Sequence, residues 1–248
     1  MTVSNLDEYQ NPAVYDAEYG NYSDDFNVFV GLKTEGDALD LACGTGRLTI
    51  ALAKSGLNCT GLDSSKKMLE QAQIKSEDLP VHYLEGDIRD FNLGQAFDLI
   101  SMAGNSFQAL LTIEDQEKML SCVRNHLRKD GLFIFNTRNP LQDKLSSTDE
   151  FEFWHNFTDL NGNIVHVFGK QQYDSLKKIM LYTTKRVWPT SETISEISLK
   201  FTEVDELIKL FDKNGFDILH IYGGVDKKPF DATSSAMILL CRLKYDKN

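Results

Sequence analysis

Apolar residues in the first half of the chain fall in short runs, each followed by a polar or glycine-bearing turn and then by residues at helical spacing. Stretches 38–42, 57–62, 81–84, 97–103 and 131–137 read as strands. The fourth is an almost unbroken apolar run, the kind that a parallel sheet buries on both faces. Helices are expected between them at 47–55, from Ser64 onward with Met68, Leu69 and Ala72 on the apolar side, and from 112 to about 127. Thr112 with Asp115 forms a capping-box pattern. Nearer the start, Asn11 followed by Pro12 reads as an N-cap and first helical position, and Ser23 as the start of a helix presenting Phe26, Phe29 and Val30. Strands alternating with helices predict a doubly wound, mostly parallel sheet.

The pattern then changes. From 138 to 201 the period drops to two: Phe151, Phe153, His155 and Phe157 alternate with other residues, and Asn161-Gly162 is a hairpin signal. Stretches 164–168, 179–188 and 194–201 read as further strands, an antiparallel sheet inserted after the fifth strand. Thr202 with Asp205 opens another helix, which ends at Asn214-Gly215. Two last strands, 216–222 and 236–243, complete a sheet of seven. The expected division is a main domain of 1–137 and 202–248, including an N-terminal lid over 1–36, with a β cap over 138–201.

The first strand leads into Asp40-Leu41-Ala42-Cys43-Gly44-Thr45-Gly46 and a helix start. Glycine lets backbone approach a ligand closely, and unpaired N–H groups at a helix start favour an anionic group. A dinucleotide loop needs a third glycine, where this chain has Thr49. Asp40 would repel a pyrophosphate but could accept from a ligand ammonium. A ligand carrying both an ammonium and a carboxylate therefore fits the loop better.

Asp40 to Gly46 resembles the first motif of class I S-adenosylmethionine-dependent methyltransferases. The resemblance covers nearly the whole chain and implies S-adenosyl-L-methionine as cofactor. Asp40, Ala42, Gly44 and Gly46 would meet its methionine moiety, and Asp63, followed by Ser64, its ribose hydroxyls. Asp87 and Ile88 would meet the adenine on one face and Met68 on the other, with Met102 and Asn105 beside the sulfonium. Val14-Tyr15-Asp16 and Tyr22 resemble the aromatic lid of this family, with Tyr9 and Tyr19 as further candidates. A tyrosine face stabilises a cationic sulfonium.

The stretch from Glu85 to Phe91 and the antiparallel insert look most like small-molecule members, especially amino-sugar N-methyltransferases. In those enzymes the insert shapes the acceptor pocket. Some of them carry a histidine after the fourth strand where this chain has Gln108, which cannot act as a base. The implied reaction is in-line methyl transfer to a nitrogen or oxygen nucleophile, helped mainly by alignment and water exclusion. Tyr15, Arg138 and His155 are the candidate catalytic residues, Arg138 as a grip for an acidic acceptor group and His155 as a base.

Composition narrows the partners. With 26 basic against 37 acidic residues the net charge is −11, which argues against a nucleic-acid surface. The residues after the fourth strand, Ala103-Gly104-Asn105-Ser106, also lack the Asn/Asp-Pro-Pro-aromatic signature of base-modifying methyltransferases. Cys43, Cys59, Cys122 and Cys241 form no C-x-x-C pair and no metal spacing, so reduced thiols, no bound metal and a cytoplasmic location are expected. No run reaches transmembrane length, so the expected partner is a small acceptor molecule, with the chain a monomer or homodimer. Two other readings share the loop: an S-adenosylmethionine-binding protein without catalysis, and a nicotinamide oxidoreductase.

Overall fold

The computed structural model describes residues 5, 7–20 and 26–244. Helix α1 (Pro12–Tyr19) begins as expected: the Asn11 side chain accepts from Val14 N, and Pro12 stands at the first helical position. The core sheet follows with β1 (Asp37–Leu41), α2 (Arg47–Lys54), β2 (Asn58–Asp63), α3 (Lys66–Lys75), β3 (Val81–Glu85), β4 (Phe97–Met102), α4 (Ile113–His126) and β5 (Leu127–Arg138). The insert supplies β6 (Glu152–Thr158), β7 (Ile164–Asp174), β8 (Ile179–Val187) and β9 (Glu192–Lys200). The chain closes with α5 (Val204–Lys213), β10 (Phe216–Tyr222) and β11 (Ala236–Leu243).

Seven strands order as β10-β11-β5-β4-β1-β2-β3, and β11 alone runs against its neighbours in this sheet. β1 lies between β2 and β4, parallel to both. The chain winds outward from β1 to β3 and then returns to β4 on the other side. That reversal opens a crevice at the carboxyl ends of β1 and β4, where α/β sheets bind ligands. Apolar side chains cover both faces. Phe133, Phe135, Phe211 and Phe216 pack with the α4 residues Met119, Leu120 and Val123 on one. Phe26, Phe29, Leu48 and Leu52 pack with Leu99 and Ile134 on the other.

The insert is a separate four-stranded antiparallel sheet, β6-β7-β8-β9. Its β6–β7 hairpin turns at Gly162, φ 81°, where the left-handed backbone suits glycine. Phe157, Val165 and Val167 form an apolar patch, against which Val14 and Ala17 of α1 rest. No helix among the described residues is long and apolar enough to cross a membrane.

Three local expectations need correction. Ser65, not Ser64, caps α3, accepting from Met68 N at 3.4 Å. The Asp63 side chain takes the Ser65 N–H and so displaces the turn by one residue. Glu203, not Thr202, begins α5 in a capping box with Glu206, because Thr202 is buried against Gln116. Ser23 lies outside the described residues. From Phe26 the chain makes a single turn rather than a helix, with Phe29 N and Val30 N both donating to Phe26 O. Phe26, Val28 and Phe29 are all buried there, so the apolar spacing reflects a packed loop.

Candidate functional site

Ala42, Gly44 and Gly46 have φ of 52°, 56° and 76°, so the loop after β1 turns through left-handed backbone at alternate residues. Such alternation aims successive N–H groups into one concavity suited to an anion. For Ala42 this conformation costs free energy, as backbone at ligand sites often does. At Gly46 a Cβ would stand 2.5 Å from the Tyr83 hydroxyl, and at Gly44 one would meet Met68 Cε at 3.4 Å. Tyr83 and Met68 thus form a floor beneath the loop, and Met68 is buried.

Asp40 is buried within the sheet rather than open to the crevice. It is 2% exposed, and its two oxygens accept from Thr49 Oγ1 at 2.7 Å and Ser101 Oγ at 3.0 Å. Burial pushes its carboxyl up to about 6, against the pull of those hydroxyls. Thr49, where a dinucleotide loop has its third glycine, thereby ties α2 to β1.

Asp63 stands at the carboxyl end of β2. Oδ2 accepts from Gly44 N and Oδ1 from Ser65 N, each at 2.8 Å. Each ionised oxygen keeps a further lone pair for a ligand hydroxyl. Burial raises its proton affinity, and the backbone donors of Ser65, Gly44 and Ser64 oppose that. Ser64 therefore contributes a backbone donor next to Asp63.

Helix α1 packs beside α3 and reaches the glycine loop at this end of the sheet. The Tyr15 ring lies 5.1 Å from the Tyr19 ring at a tilt of 49° and meets Tyr9 edge to face at 5.8 Å. The charge of Asp63 reaches both Tyr9 and Tyr15, whose phenols are pushed up mainly by burial. Arg47 stands over the Tyr15 ring at 5.8 Å and donates to Tyr19 O at 2.5 Å. Asp16 clasps the glycine loop, accepting from Thr45 Oγ1 at 2.5 Å and from Lys75 Nζ at 2.9 Å. Tyr22 lies outside the described residues.

Asp87 follows β3, and its carboxylate is held by Arg89 through Nε and through Nη2 at 2.6 Å. Those bonds keep its pKa below the usual carboxylate value. Ile88 packs against the core cluster. Met102, at the end of β4, is fully buried. Asn105 has φ 58° and forms a reciprocal pair with Asn136: its N–H donates to Asn136 Oδ1 at 3.1 Å, and Asn136 Nδ2 donates to Asn105 Oδ1 at 3.2 Å. Asn136, near the carboxyl end of β5, belongs to the crevice rim and was not anticipated. An amide next to the apolar run Phe133-Ile134-Phe135 is the signal that marks it. Gln108 is wholly buried, donating to Lys200 O at 3.3 Å.

On the cap side, Arg138 ends β5 with its guanidinium 5.7 Å from the centre of the Tyr182 ring and Nη1 3.4 Å from that phenol. Trp154 meets Tyr182 edge to face at 5.9 Å. Its indole covers Gly169, where any Cβ would collide with the ring. His155 turns away toward the lid, with Nε2 3.0 Å from Glu18 Oε1. Glu18 also accepts from Arg186 Nε at 2.6 Å, and Arg186 bonds Glu8, while Ser195 Oγ donates to Glu8 at 2.6 Å. This buried network fastens Glu8 and the end of α1 to β8 and β9, and the sequence gives no sign of it. Among the described residues no group of His, Cys, Asp and Glu could hold a metal ion.

Residues 38–131 match a family model described as a methyltransferase domain. A cypemycin N-terminal methyltransferase from Streptomyces sp is 31% identical over 111 residues, 45% of either chain. A dTDP-4-amino-2,3,4,6-tetradeoxy-D-glucose N,N-dimethyltransferase from Saccharopolyspora spinosa is 32% identical over 39% of this chain and 38% of its own. The matched stretch spans about half the length of the first of these curated relatives and less of the second. Among solved structures, a S-adenosylmethionine-dependent methyltransferase from Clostridium acetobutylicum superposes with a TM-score of 0.78 at 23% identity, covering 94% of this chain and 97% of that one. The CcbJ methyltransferase from Streptomyces caelestis gives 0.79 at 20% identity, covering 95% and 100%. The fold, including the antiparallel insert, is therefore one that methyltransferases use.

Proposed function

We propose that this chain, which matches a methyltransferase-domain model over residues 38–131, transfers a methyl group from S-adenosyl-L-methionine to a small-molecule acceptor. The observation that carries the reading is the convergence of the left-handed loop at 42–46, the Asp63 carboxylate and the Tyr9 and Tyr15 rings on one crevice. Its donor set fits that molecule. The loop's N–H groups suit a carboxylate, two carboxylate oxygens suit a vicinal diol, and ring faces suit a sulfonium. When bound, S-adenosylmethionine supplies an activated methyl group.

The protein's own residues align and seal. Asp63 grips the ribose while bracing the loop through Gly44 N. Tyr15 covers the sulfonium, with Tyr22 as a further lid residue. Asp40 acts from below by fixing the loop through Thr49. Ile88 and Met68 border the adenine, and the Asp87 carboxylate offers its amino group only the lone pairs that Arg89 leaves. Met102 and the Asn105–Asn136 pair bound the path to the acceptor. Arg138 grips an acidic group of that acceptor. His155 acts in fastening the lid rather than as a base. We assign 1–137 with 202–248 to the cofactor-binding domain, 1–36 to its lid and 138–201 to the cap, and the working compartment to the cytoplasm. Incubation with methyl-labelled S-adenosylmethionine and a panel of amines and alcohols, read as S-adenosylhomocysteine formation, tests this. Binding of NADH instead of S-adenosylmethionine would overturn it.

A further inference from the structure

The loop after β3, which carries Asp87 and Ile88, has almost no secondary structure of its own. Between β3 and β4 the only pairing among the described residues is an isolated bridge from Asp87 to Asp90. Residues 86–93 therefore take their shape from neighbours. The loop starts against β2, where Gly86 N donates to the carbonyl oxygen of Asp63 at 2.9 Å. Among the described residues, its remaining polar anchors outside the loop lie on one helix, α4. Arg89 Nη1 pairs with Asp115 at 3.1 Å, Cys122 Sγ donates to Arg89 O at 3.5 Å, and Leu93 N donates to His126 Nε2 at 2.9 Å. With the buried Met119 between them, these positions form a single i, i+4, i+7, i+11 stripe. Ile88, Phe91 and Leu93 pack against the core cluster to which Met119 belongs.

His126 closes the far end of the loop and is 4% exposed. Its Nδ1 stands 2.7 Å from Cys122 O, which can only accept, so Nδ1 carries the proton. Nε2 is then a lone-pair acceptor aimed at the Leu93 N–H. The His126 ring also lies 4.7 Å from Phe91. A backbone N–H turned inward needs an acceptor, and here a side chain supplies it where no strand does. The same helix reaches Asp87 through Arg89, whose Nη2 holds the Asp87 carboxylate at 2.6 Å while Nη1 is held by Asp115. Asp87 and Ile88 thus sit between one anchor on β2 and several on α4. A carboxylate only accepts, so an amino group on a purine satisfies it and an oxo oxygen is repelled.

We propose that α4 is the template that sets purine specificity, with His126 as its positioning residue: by accepting the Leu93 N–H it fixes the loop so that Asp87 meets an exocyclic amino group and rejects an oxo group. His126 acts through the loop. This rests on the reading of the crevice as an S-adenosylmethionine site and deepens it, because the choice of base then depends on α4 as well as on Asp87.

Calorimetric titration with S-adenosylhomocysteine and S-inosylhomocysteine, which carry an amino and an oxo group at the same place on the base, tests this. The wild type should bind the adenosyl compound at least roughly tenfold more tightly. His126→Phe keeps a ring against Phe91 and loses the acceptor, and should bring the two Kd values to within about threefold of each other. His126→Gln keeps an acceptor and should hold the ratio within about twofold of the wild type. A general loss of stability would weaken both compounds alike and leave the ratio where it was. The proposal is overturned if the wild type binds the two equally, if His126→Phe leaves the ratio unchanged, or if His126→Gln loses it as His126→Phe does. Failure of the wild type to bind either compound would instead remove the parent reading. If His126→Phe does not fold, Asp115→Ala, in the first turn of α4, decides: it should lower the ratio at least roughly threefold, and an unchanged ratio overturns the proposal.

Discussion

Arg186→Met should release the lid. In the intact protein the Arg186 side chain is 6% exposed and shared between Glu8, 7% exposed, and Glu18, 0% exposed. Burial works to lower the proton affinity of Arg186, but its bonds to the two carboxylates outweigh that and keep the guanidinium charged. Removing the arginine leaves two buried carboxylates without their cation, with Ser195 still bonding Glu8 and with His155 and the Tyr19 phenol still beside Glu18. Breaking a buried ion pair from one side costs about 3–5 kcal/mol. Helix α1 has eight residues, too few to persist by itself in water, so its docking depends on this network, on the apolar contacts of Val14 and Ala17, and on the Asp16 clasp. The loss should therefore be local. Hydrogen exchange of the α1 amides should accelerate by at least roughly a hundredfold, the equivalent of about 3 kcal/mol, while the β4 and β5 amides stay protected. S-adenosylhomocysteine affinity should fall with it. Replacing the charges together, as Glu8→Gln, Glu18→Gln and Arg186→Met, should restore most of the protection, because the cost lies in uncompensated charge. Unchanged α1 exchange in Arg186→Met, or equal loss in the triple variant, would refute the electrostatic account.

Other outcomes follow from the loop and the cap. The Asp40 carboxyl is raised in the fold to about 6, so between pH 4 and 6 the folded state holds more protons than the unfolded one. Stability must then fall as pH rises through that window, by on the order of 2–3 kcal/mol for this group. Urea denaturation of Asp40→Asn should lack this component, and an identical pH slope would count against it. Gly46→Ala places a Cβ against Tyr83 on left-handed backbone, for an expected loss of about 1–3 kcal/mol. Adding Tyr83→Phe should recover part of it in thermal melts by removing the clashing oxygen, and no recovery would show that the clash is not the cause. Trp154→Ala should impair acceptor use several-fold while leaving S-adenosylhomocysteine affinity within about twofold in calorimetry. Equal loss of both would contradict a cap that serves the acceptor.

What the sequence discloses and what it hides divide along contact range. The β1 loop, Asp63 and the Asn11-Pro12 helix start are written within a few residues, where glycine, capping and strand patterns act directly. The change from helical to alternating period after 137 likewise announces the insert. The neighbouring serines 64 and 65 are indistinguishable by type, and only the Asp63 side chain, by taking the Ser65 N–H, settles which one caps. Thr202 looks like a cap locally but is claimed by Gln116, 86 positions away in the chain. Arg186 and Glu18 are 168 apart, and no local pattern reports that they meet. Asp40 lies in the right motif. Its burial beneath the loop depends on Ser101, from a strand that pairs with β1 only after the chain reverses direction.

Calorimetric titration of S-adenosylmethionine into the wild-type protein and into Asp63→Ala tests the central claim most directly. One binding site is predicted for the wild type. Loss of two charged hydrogen-bond acceptors, worth about 1.5–3 kcal/mol each, should weaken the variant by at least roughly a hundredfold. Asp63→Asn, which retains one oxygen acceptor, should fall between them. No heat with the wild type, or equal affinity in Asp63→Ala, would contradict the account.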